Sequence, residues 1–246
     1  RIIYEKTSSL LNSNIIVAKQ SSTKIVECIK KNISNNSANK IFYKEDYNFV
    51  LKENDFFLYE DQYGSLKIPK PSIKGDFQLE NASTAIATLR TLKELNIQDQ
   101  HIIEGVKKAY NTARLEEIKK GNLKDLIKDN MLICDGSHNP GGAEVLNKYL
   151  NNLNCDVHCI IGMMANKNHE KYISYFKNIK SISTIDIPNT PNAIEGKKLK
   201  EKFNAIPNVQ YKESIKEAIK SITLNKNDVV IITGSLYLAS EVLKLN

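Results

Sequence analysis

Leu132-Ile133-Cys134-Asp135-Gly136-Ser137-His138-Asn139-Pro140-Gly141-Gly142 reads as a strand that runs through a turn into a helix. The apolar run ends at an aspartate. A Gly-Ser turn and His-Asn-Pro follow, and then Ala143, Leu146, Tyr149 and Leu150 stand at helical spacing. Proline suits a first helical position because it has no N–H to lose there. Polar side chains at such a junction lie beyond the carboxyl end of a strand, where open α/β sheets bind ligands. A plainer role is also open: Asp135 and Asn139 can simply hold the turn and cap the helix.

Working outward, the same alternation recurs. Strands are predicted near 131–135, 157–162, 182–187 and 228–233, with helices near 140–152, 168–177, 195–203, 213–222 and 235–245. Such alternation implies an α/β fold with a mainly parallel sheet covered on both faces. Upstream the pattern differs. Ile15 to Ala18 reads as a buried strand, and Ser21-Ser22-Thr23 can start a helix carrying Ile25, Val26 and Ile29. Asn32 to Asn39 reads as a loop. Short β-like runs at 41–43, 49–51, 56–59 and 66–68 follow, the last two joined by the turn Asp61-Gln62-Tyr63-Gly64. Helices are expected over 78–95 and 99–110, and Arg114 to Ile118 opens a new strand. The domain boundary is placed near 112.

Polar residues gather at the predicted strand ends. Asp135 and His138 close one strand, Gly162 to Lys167 the next, and Thr233-Gly234-Ser235 the last. In a parallel sheet these ends share one edge and can surround a single ligand. The Gly234-Ser235 turn offers backbone N–H groups to an anion, or Ser235 serves as a helix cap. Arg114, just before a strand, can grip a phosphate with two parallel hydrogen bonds, or form a surface bridge with Glu116 or Glu117. Asn81 can read a base edge by donor and acceptor together, or settle a turn. Lys6, in a strand-like context, reads by itself as a surface lysine. Cys155-Asp156-Val157-His158-Cys159 lacks the spaced pairs of a structural zinc site. His101 and His169 look solvent-facing. No Gly-x-x-x-x-Gly-Lys-Ser/Thr loop occurs in the chain.

The balance of 35 Lys+Arg against 28 Asp+Glu gives +7. The lysines are scattered, with no basic stripe interleaved with aromatics. A solvated basic surface or anionic small substrates are therefore expected, and no nucleic-acid partner. No apolar stretch is long enough for a membrane span and no signal-peptide pattern appears, so no membrane partner is expected. Cys28 and Cys134 lie in apolar-periodic stretches, which fits buried, reduced thiols in a cytoplasmic protein. The chain starts at Arg1 rather than Met, and is read as a fragment.

Taken together, six stretches bring a family into view. ICDGSHNPGGAEVL resembles the "DxAHNP" segment of folylpolyglutamate synthase/dihydrofolate synthase, in the Mur ligase superfamily. EKTSSLLNSNIIVAKQ, GDFQLENASTAIATLRTL, TARLEEI, and the pair IIGMMANKN and ITGSLYLASEVL resemble its other segments in order. The sequence departs from the family at Thr7-Ser8-Ser9, where Ala-Gly-Ile is usual, and at Asn166, where an acid precedes Lys167. The resemblance implies that residues 1–111 are the tail of a P-loop-type ATPase domain and 112–246 a Rossmann-like C-terminal domain. It implies an ATP- and Mg²⁺-dependent ligase that joins L-glutamate to dihydropteroate or a folate through an acyl phosphate. It assigns Asn81 to adenine, Arg114 to the ATP phosphates and Asp135 to the ribose. It further assigns His138 and Ser235 to the glutamate side, with His138 also catalytic, and Lys6 as a carbamate that helps to place the metal. The complete enzyme is expected to be a monomer, and this chain alone inactive without its N-terminal half. Two rivals are another Mur-type ligase, for which the expected Asp-Asn-Pro-Arg-like string is missing, and a split or decayed nucleotide-binding fragment.

Overall fold

The computed structural model describes residues 2–8, 10, 13–52, 55–176, 178–203 and 206–246. Ser9 of the Thr7-Ser8-Ser9 departure, and Lys177 at the expected end of a helix, lie outside the described residues. The chain divides into two compact units, Arg1–Ser72 with Asp76–Tyr110, and Ile73–Gly75 with Asn111–Asn246.

The first unit contains α1 (Ile2–Thr7), β1 (Ile15–Val17), α2 (Thr23–Asn32), β2 (Lys40–Phe42), β3 (Tyr47–Leu51), β4 (Phe56–Asp61), β5 (Gly64–Pro69), α3 (Phe77–Thr91) and α4 (Asp99–Lys108). β1 and β2 pair in parallel, and β3-β4-β5 form an antiparallel meander. Strand alternation turns Phe57, Tyr59, Leu66 and Ile68 inward, where they meet Leu79 and Ile86 of α3 and Ile102 of α4. The β4–β5 turn forms as expected: Asp61 accepts the Tyr63 N–H at 2.8 Å, and Gly64 takes a φ of +114°.

Three expectations for this unit need correction. Lys6 lies on a helix, not in a strand. A lone strand leaves its backbone groups unpaired, whereas a helix satisfies its own, and Thr7 adds a hydroxyl bond to the Ile3 carbonyl at 2.9 Å. α3 stops at Thr91 rather than Leu95, because Leu92 leaves helical geometry at ψ 66° and a single 3₁₀ turn follows. Cys28 is exposed, since α2 buries none of its residues despite its apolar spacing.

The second unit contains β6 (Glu116–Ile118), α5 (Asn122–Asp125), β7 (Met131–Cys134), α6 (Pro140–Asn151), β8 (Val157–Ile161), α7 (His169–Ile173), β9 (Ser181–Ile185), α8 (Gly196–Glu201), β10 (Val209–Lys212), α9 (Ile215–Lys220), β11 (Val229–Thr233) and α10 (Leu236–Leu245). Its six-stranded sheet has the order β10-β9-β8-β11-β7-β6. Every neighbouring pair is parallel except β6 with β7. The central strands β8 and β11 are buried at every residue, which is why they read as continuous apolar runs. β10 escaped the sequence reading because it is an edge strand, half-buried throughout, in which polar Gln210 and Lys212 interrupt the apolar signal. α7 ends at Ile173, and the buried Phe176 is reached through a turn rather than by continuing the helix.

Candidate functional site

Three loops meet at the carboxyl edge of the parallel strands, because β7, β11 and β8 are neighbours. Backbone bonds tie them together. Asp135 N–H donates to the Ile232 carbonyl at 3.0 Å, Gly234 N–H to the Ser137 carbonyl at 3.1 Å, and Gly162 N–H to the Thr233 carbonyl at 3.2 Å. Gly234 sits at the centre with φ +108°, and a Cβ there would lie 2.6 Å from the Gly162 carbonyl oxygen. Beneath the loops the hydroxyls of Ser137, Thr233 and Tyr172 form a triangle with sides of 3.1–3.2 Å, and Tyr172 also donates to the Ser137 carbonyl. Burial pushes the Tyr172 phenol well up from its ordinary pKa, against the pull of its bonds to Ser137 and Thr233. None of these three hydroxyls was singled out as a site residue from sequence. The only signal for Ser137 and Thr233 was their place at strand ends, and Tyr172 comes from a helix far along the chain.

Arg114 reaches the same edge through strand direction. β6 runs antiparallel to β7, with Glu116 opposite Cys134, so the start of β6 lies at the carboxyl end of β7. Both residues flanking Arg114 are left-handed, Ala113 at φ 55° and Leu115 at φ 49°. Each is buried, and each is pinned. The Ala113 carbonyl accepts the Gly136 N–H at 2.7 Å, and Glu116 accepts the Ala113 N–H at 2.8 Å. Asp135 accepts the Leu115 N–H through Oδ2 and the Ser137 N–H through Oδ1, both at 2.9 Å. Arg114 itself is half-buried and has no hydrogen-bond or ion-pair partner among the described residues. The bridge to Glu117 does not form, because Lys74 holds Glu117 at 2.8 Å.

His138 is half-buried, and its Nδ1 lies 2.9 Å from the Gly136 carbonyl. A carbonyl only accepts, so Nδ1 carries the proton and Nε2 of the neutral ring keeps a lone pair. Asn139 caps α6, accepting the Gly142 N–H at 2.9 Å. Ser235 is 1% exposed and caps α10, its Oγ accepting the Tyr237 N–H at 3.1 Å. Thus the plainer roles of Asp135, Asn139 and Ser235 are all realised.

Arg114, Asp135, His138 and Ser235 lie in the second unit, while Lys6 and Asn81 lie in the first. Lys6 is exposed and without an ion pair among the described residues. Asn81 is exposed on the second turn of α3 and donates to Gln78 at 2.9 Å. No group of three or more His, Cys, Asp or Glu that could hold a metal exists among the described residues. His158, in the suspected Cys/His run, is instead buried between Ser181 at 2.7 Å and Asp228 at 3.3 Å. His101 and His169 are not idle surface rings. His101 accepts the Gln98 N–H and completes the α4 cap, and His169 bonds the Met164 carbonyl at 2.9 Å.

Residues 113–236 match the Mur ligase family at its glutamate ligase domain. The chain belongs to the Mur ligase family. The matched span runs from the pinned segment before β6 to the first residue of α10, and so contains all three joined loops. A folylpolyglutamate synthase from Lacticaseibacillus casei is 30% identical over 198 residues, which are 76% of this chain and 42% of that protein. A dihydrofolate synthase/folylpolyglutamate synthase from Bacillus subtilis is 27% identical over 183 residues, 71% of this chain and 40% of that one. The chain thus spans about two fifths of the length of the curated relatives it matches. The structure of E. coli FolC in complex with DHPP and ADP has the same fold, with a TM-score of 0.82 at 21% identity over 99% of this chain and 55% of that one. Among the described residues no helix is long and apolar enough to cross a membrane.

Proposed function

We propose that this chain is the carboxyl-terminal part of an ATP-dependent ligase that adds L-glutamate to dihydropteroate or to a tetrahydrofolate. The observation that carries the reading is Arg114. It is a guanidinium without a partner among the described residues, held between two pinned residues at the strand edge where the matched domain gathers its loops. The names of the two curated relatives supply the substrate class, and the net charge of +7 suits anionic substrates. Residues 1–111 are then the tail of the ATPase domain and 112–246 the glutamate ligase domain.

The chemistry follows from the donors available. Transfer of the terminal phosphoryl group of ATP to the acceptor carboxylate releases ADP and makes an acyl phosphate. The glutamate amine attacks its carbonyl carbon, the C–O bond to phosphate breaks, and phosphate leaves as the amide forms. Arg114 places two parallel N–H groups on phosphate oxygens and offsets the charge that builds there. The lone pair that His138 Nε2 keeps when Nδ1 bonds the Gly136 carbonyl supports a role in taking a proton from the attacking amine. Ser235, whose hydroxyl caps α10, orients that helix start towards the glutamate. Asn81 meets the adenine edge, and Asp135 has lone pairs to spare for a ribose hydroxyl beyond its two backbone bonds. Mg²⁺ and a carbamate on Lys6 belong to the same reading. A lone exposed lysine with no cluster of carboxylates or imidazoles among the described residues is not by itself a metal site. The buried, free thiols Cys134 and Cys159 suit a cytoplasmic protein. The proposed partner is the N-terminal half, covalently joined, in a monomer.

The test is ADP release by the protein that contains this chain, supplied with ATP, L-glutamate and dihydropteroate or tetrahydrofolate. Release that requires both glutamate and the pterin substrate, with Arg114→Ala raising the KM for ATP, supports the reading. Release indifferent to glutamate refutes it.

A further inference from the structure

We infer that Tyr172 is a positioning residue for His138: by donating to the Ser137 carbonyl, its hydroxyl fixes the peptide from which the His138 ring projects. The inference rests on the reading of His138 as a residue on the glutamate side of the site.

The argument starts from Ser137, which is held at every polar atom. Its N–H donates to Asp135 Oδ1 at 2.9 Å. Its Oγ stands 3.1 Å from the Thr233 hydroxyl and 3.2 Å from that of Tyr172. Its carbonyl accepts the Gly234 N–H at 3.1 Å and the Tyr172 O–H at 3.2 Å. A carbonyl oxygen has two lone pairs, so these two donors saturate it. A tyrosine hydroxyl has one proton to give. Spent on the Ser137 carbonyl, it leaves the phenol oxygen to accept from Ser137 or Thr233 within the triangle. Burial raises the phenol above its ordinary pKa, so Tyr172 stays a donor at neutral pH.

The Ser137 carbonyl belongs to the peptide that leads to His138, and the planarity of that peptide carries its direction to the His138 Cα. On the other side Asn139 is fixed as the cap of α6, its carbonyl accepting the Ala143 N–H and its Oδ1 the Gly142 N–H, both at 2.9 Å. His138 is thus a half-buried residue between two pinned ones, and its Nδ1 turns back to the Gly136 carbonyl at 2.9 Å. That bond closes only while the intervening backbone keeps its direction, and it is what leaves the lone pair on Nε2. Tyr172 comes from α7, is fully buried and packs on Phe176 with ring centroids 5.1 Å apart. It therefore acts through the peptide and not on a substrate.

The experiment has two arms. The first needs no ligand. Tyr172→Phe removes the donor to the Ser137 carbonyl and keeps a ring against Phe176. Thr233→Val is the matched control, because it takes a hydroxyl from the same triangle but spares the bond to the carbonyl. Nitrogen NMR of the neutral His138 ring reports which nitrogen carries the proton. The Nδ1–H form is expected to dominate in the wild type and in Thr233→Val. In Tyr172→Phe its ratio to the Nε2–H form should fall roughly three- to tenfold, as for loss of one hydrogen bond. An unchanged ratio in Tyr172→Phe, or an equal fall in both variants, overturns the inference.

The second arm is steady-state kinetics of the protein that contains this chain, supplied with ATP, L-glutamate and dihydropteroate or tetrahydrofolate. Tyr172→Phe should raise the KM for glutamate roughly three- to tenfold while the KM for ATP stays within about twofold. Once His138 is alanine, Tyr172→Phe should have no further effect. Equal rises in both KM values, or the same loss in the His138→Ala background, overturn the inference, because a merely structural tyrosine behaves that way. If His138→Ala leaves the glutamate kinetics intact, the reading of His138 fails, and with it the functional half of the inference; the ligand-free arm then decides the positioning half by itself.

Discussion

Replacing Gly234 by alanine tests the joined strand ends most directly. Gly234 has φ +108°, where an L side chain costs about 1–2 kcal/mol. The added Cβ would also lie 2.6 Å from the Gly162 carbonyl oxygen and 3.0 Å from both Ile161 Cγ2 and Met163 Cγ. The nearest of these is backbone, and the N–H of the same residue bonds the Thr233 carbonyl of β11, so relief requires moving the tied loop after β8. Overpacking of that kind adds about 1–3 kcal/mol, while the stiffer unfolded chain returns about 0.4–1 kcal/mol. The net expectation is destabilisation by about 2–4 kcal/mol. Because the chain has two units, one denaturation midpoint would mix them. Amide exchange in β11 reports on the second unit alone, and its slowest amides should exchange roughly 30- to 800-fold faster. Gly141→Ala is the matched control. A Cβ there meets only Asn139 Oδ1, at 3.6 Å, and alanine favours a helix more than glycine does. It should leave β11 exchange unchanged or slower. A change below about fivefold for Gly234→Ala, or equal damage from both substitutions, would refute the packing argument.

Three further outcomes follow from the burial and bonding. Thiol labelling of the native protein at pH 8 should modify Cys28 first and Cys155 more slowly. Cys134, whose pKa burial and then the charges of Glu116 and Asp135 push up to about 12, and the fully buried Cys159 should react only on unfolding; early labelling of Cys134 would contradict its placement. Asp228 titrates below its ordinary value. Burial opposes this, but the Asn225 N–H, His158 and Lys180 together outweigh it. A depressed folded pKa contributes stability that is present above the unfolded value and lost as pH falls through the folded one. The stability gap between wild type and Asp228→Asn should therefore be widest near neutrality and shrink below about pH 4; a constant gap down to pH 2 would show that ionisation is irrelevant. Tyr172→Phe removes the phenol from the hydroxyl triangle but leaves Ser137 and Thr233 bonded at 3.1 Å. It should destabilise the second unit by about 1–2 kcal/mol, read from β11 exchange, and no change would mean that the triangle carries no net energy.

Much of the fold was legible because the second unit obeys simple periodicities. Buried parallel strands leave continuous apolar runs, helices leave a 3.6-residue spacing, and Asn139-Pro140 marks a helix start by cap and ring alone. Where those signals weaken the reading failed. Edge strand β10 carries polar residues because one side lacks a neighbour. α1 looked like a strand because an apolar pair does not say what will satisfy its backbone. Cys28 had helical apolar spacing, yet no layer in the described chain covers it.

For the site, sequence alone determined which residue types stand at the strand ends, since Asp135, His138, Gly234 and Ser235 follow directly from where apolar runs stop. It also placed Arg114 just ahead of a strand. Only the tertiary structure decided that the start of β6 and the end of β7 share an edge, because antiparallel pairing is a relation between segments that local propensity does not encode. Only it revealed the left-handed backbone around Arg114. Nothing in Ala-Arg-Leu signals φ above zero, and the conformation exists because a carboxylate 20 residues onward accepts the Leu115 N–H. Asp135 is visible in the sequence as a carboxylate after a strand; what that carboxylate holds is set by contacts that form only when the sheet is assembled.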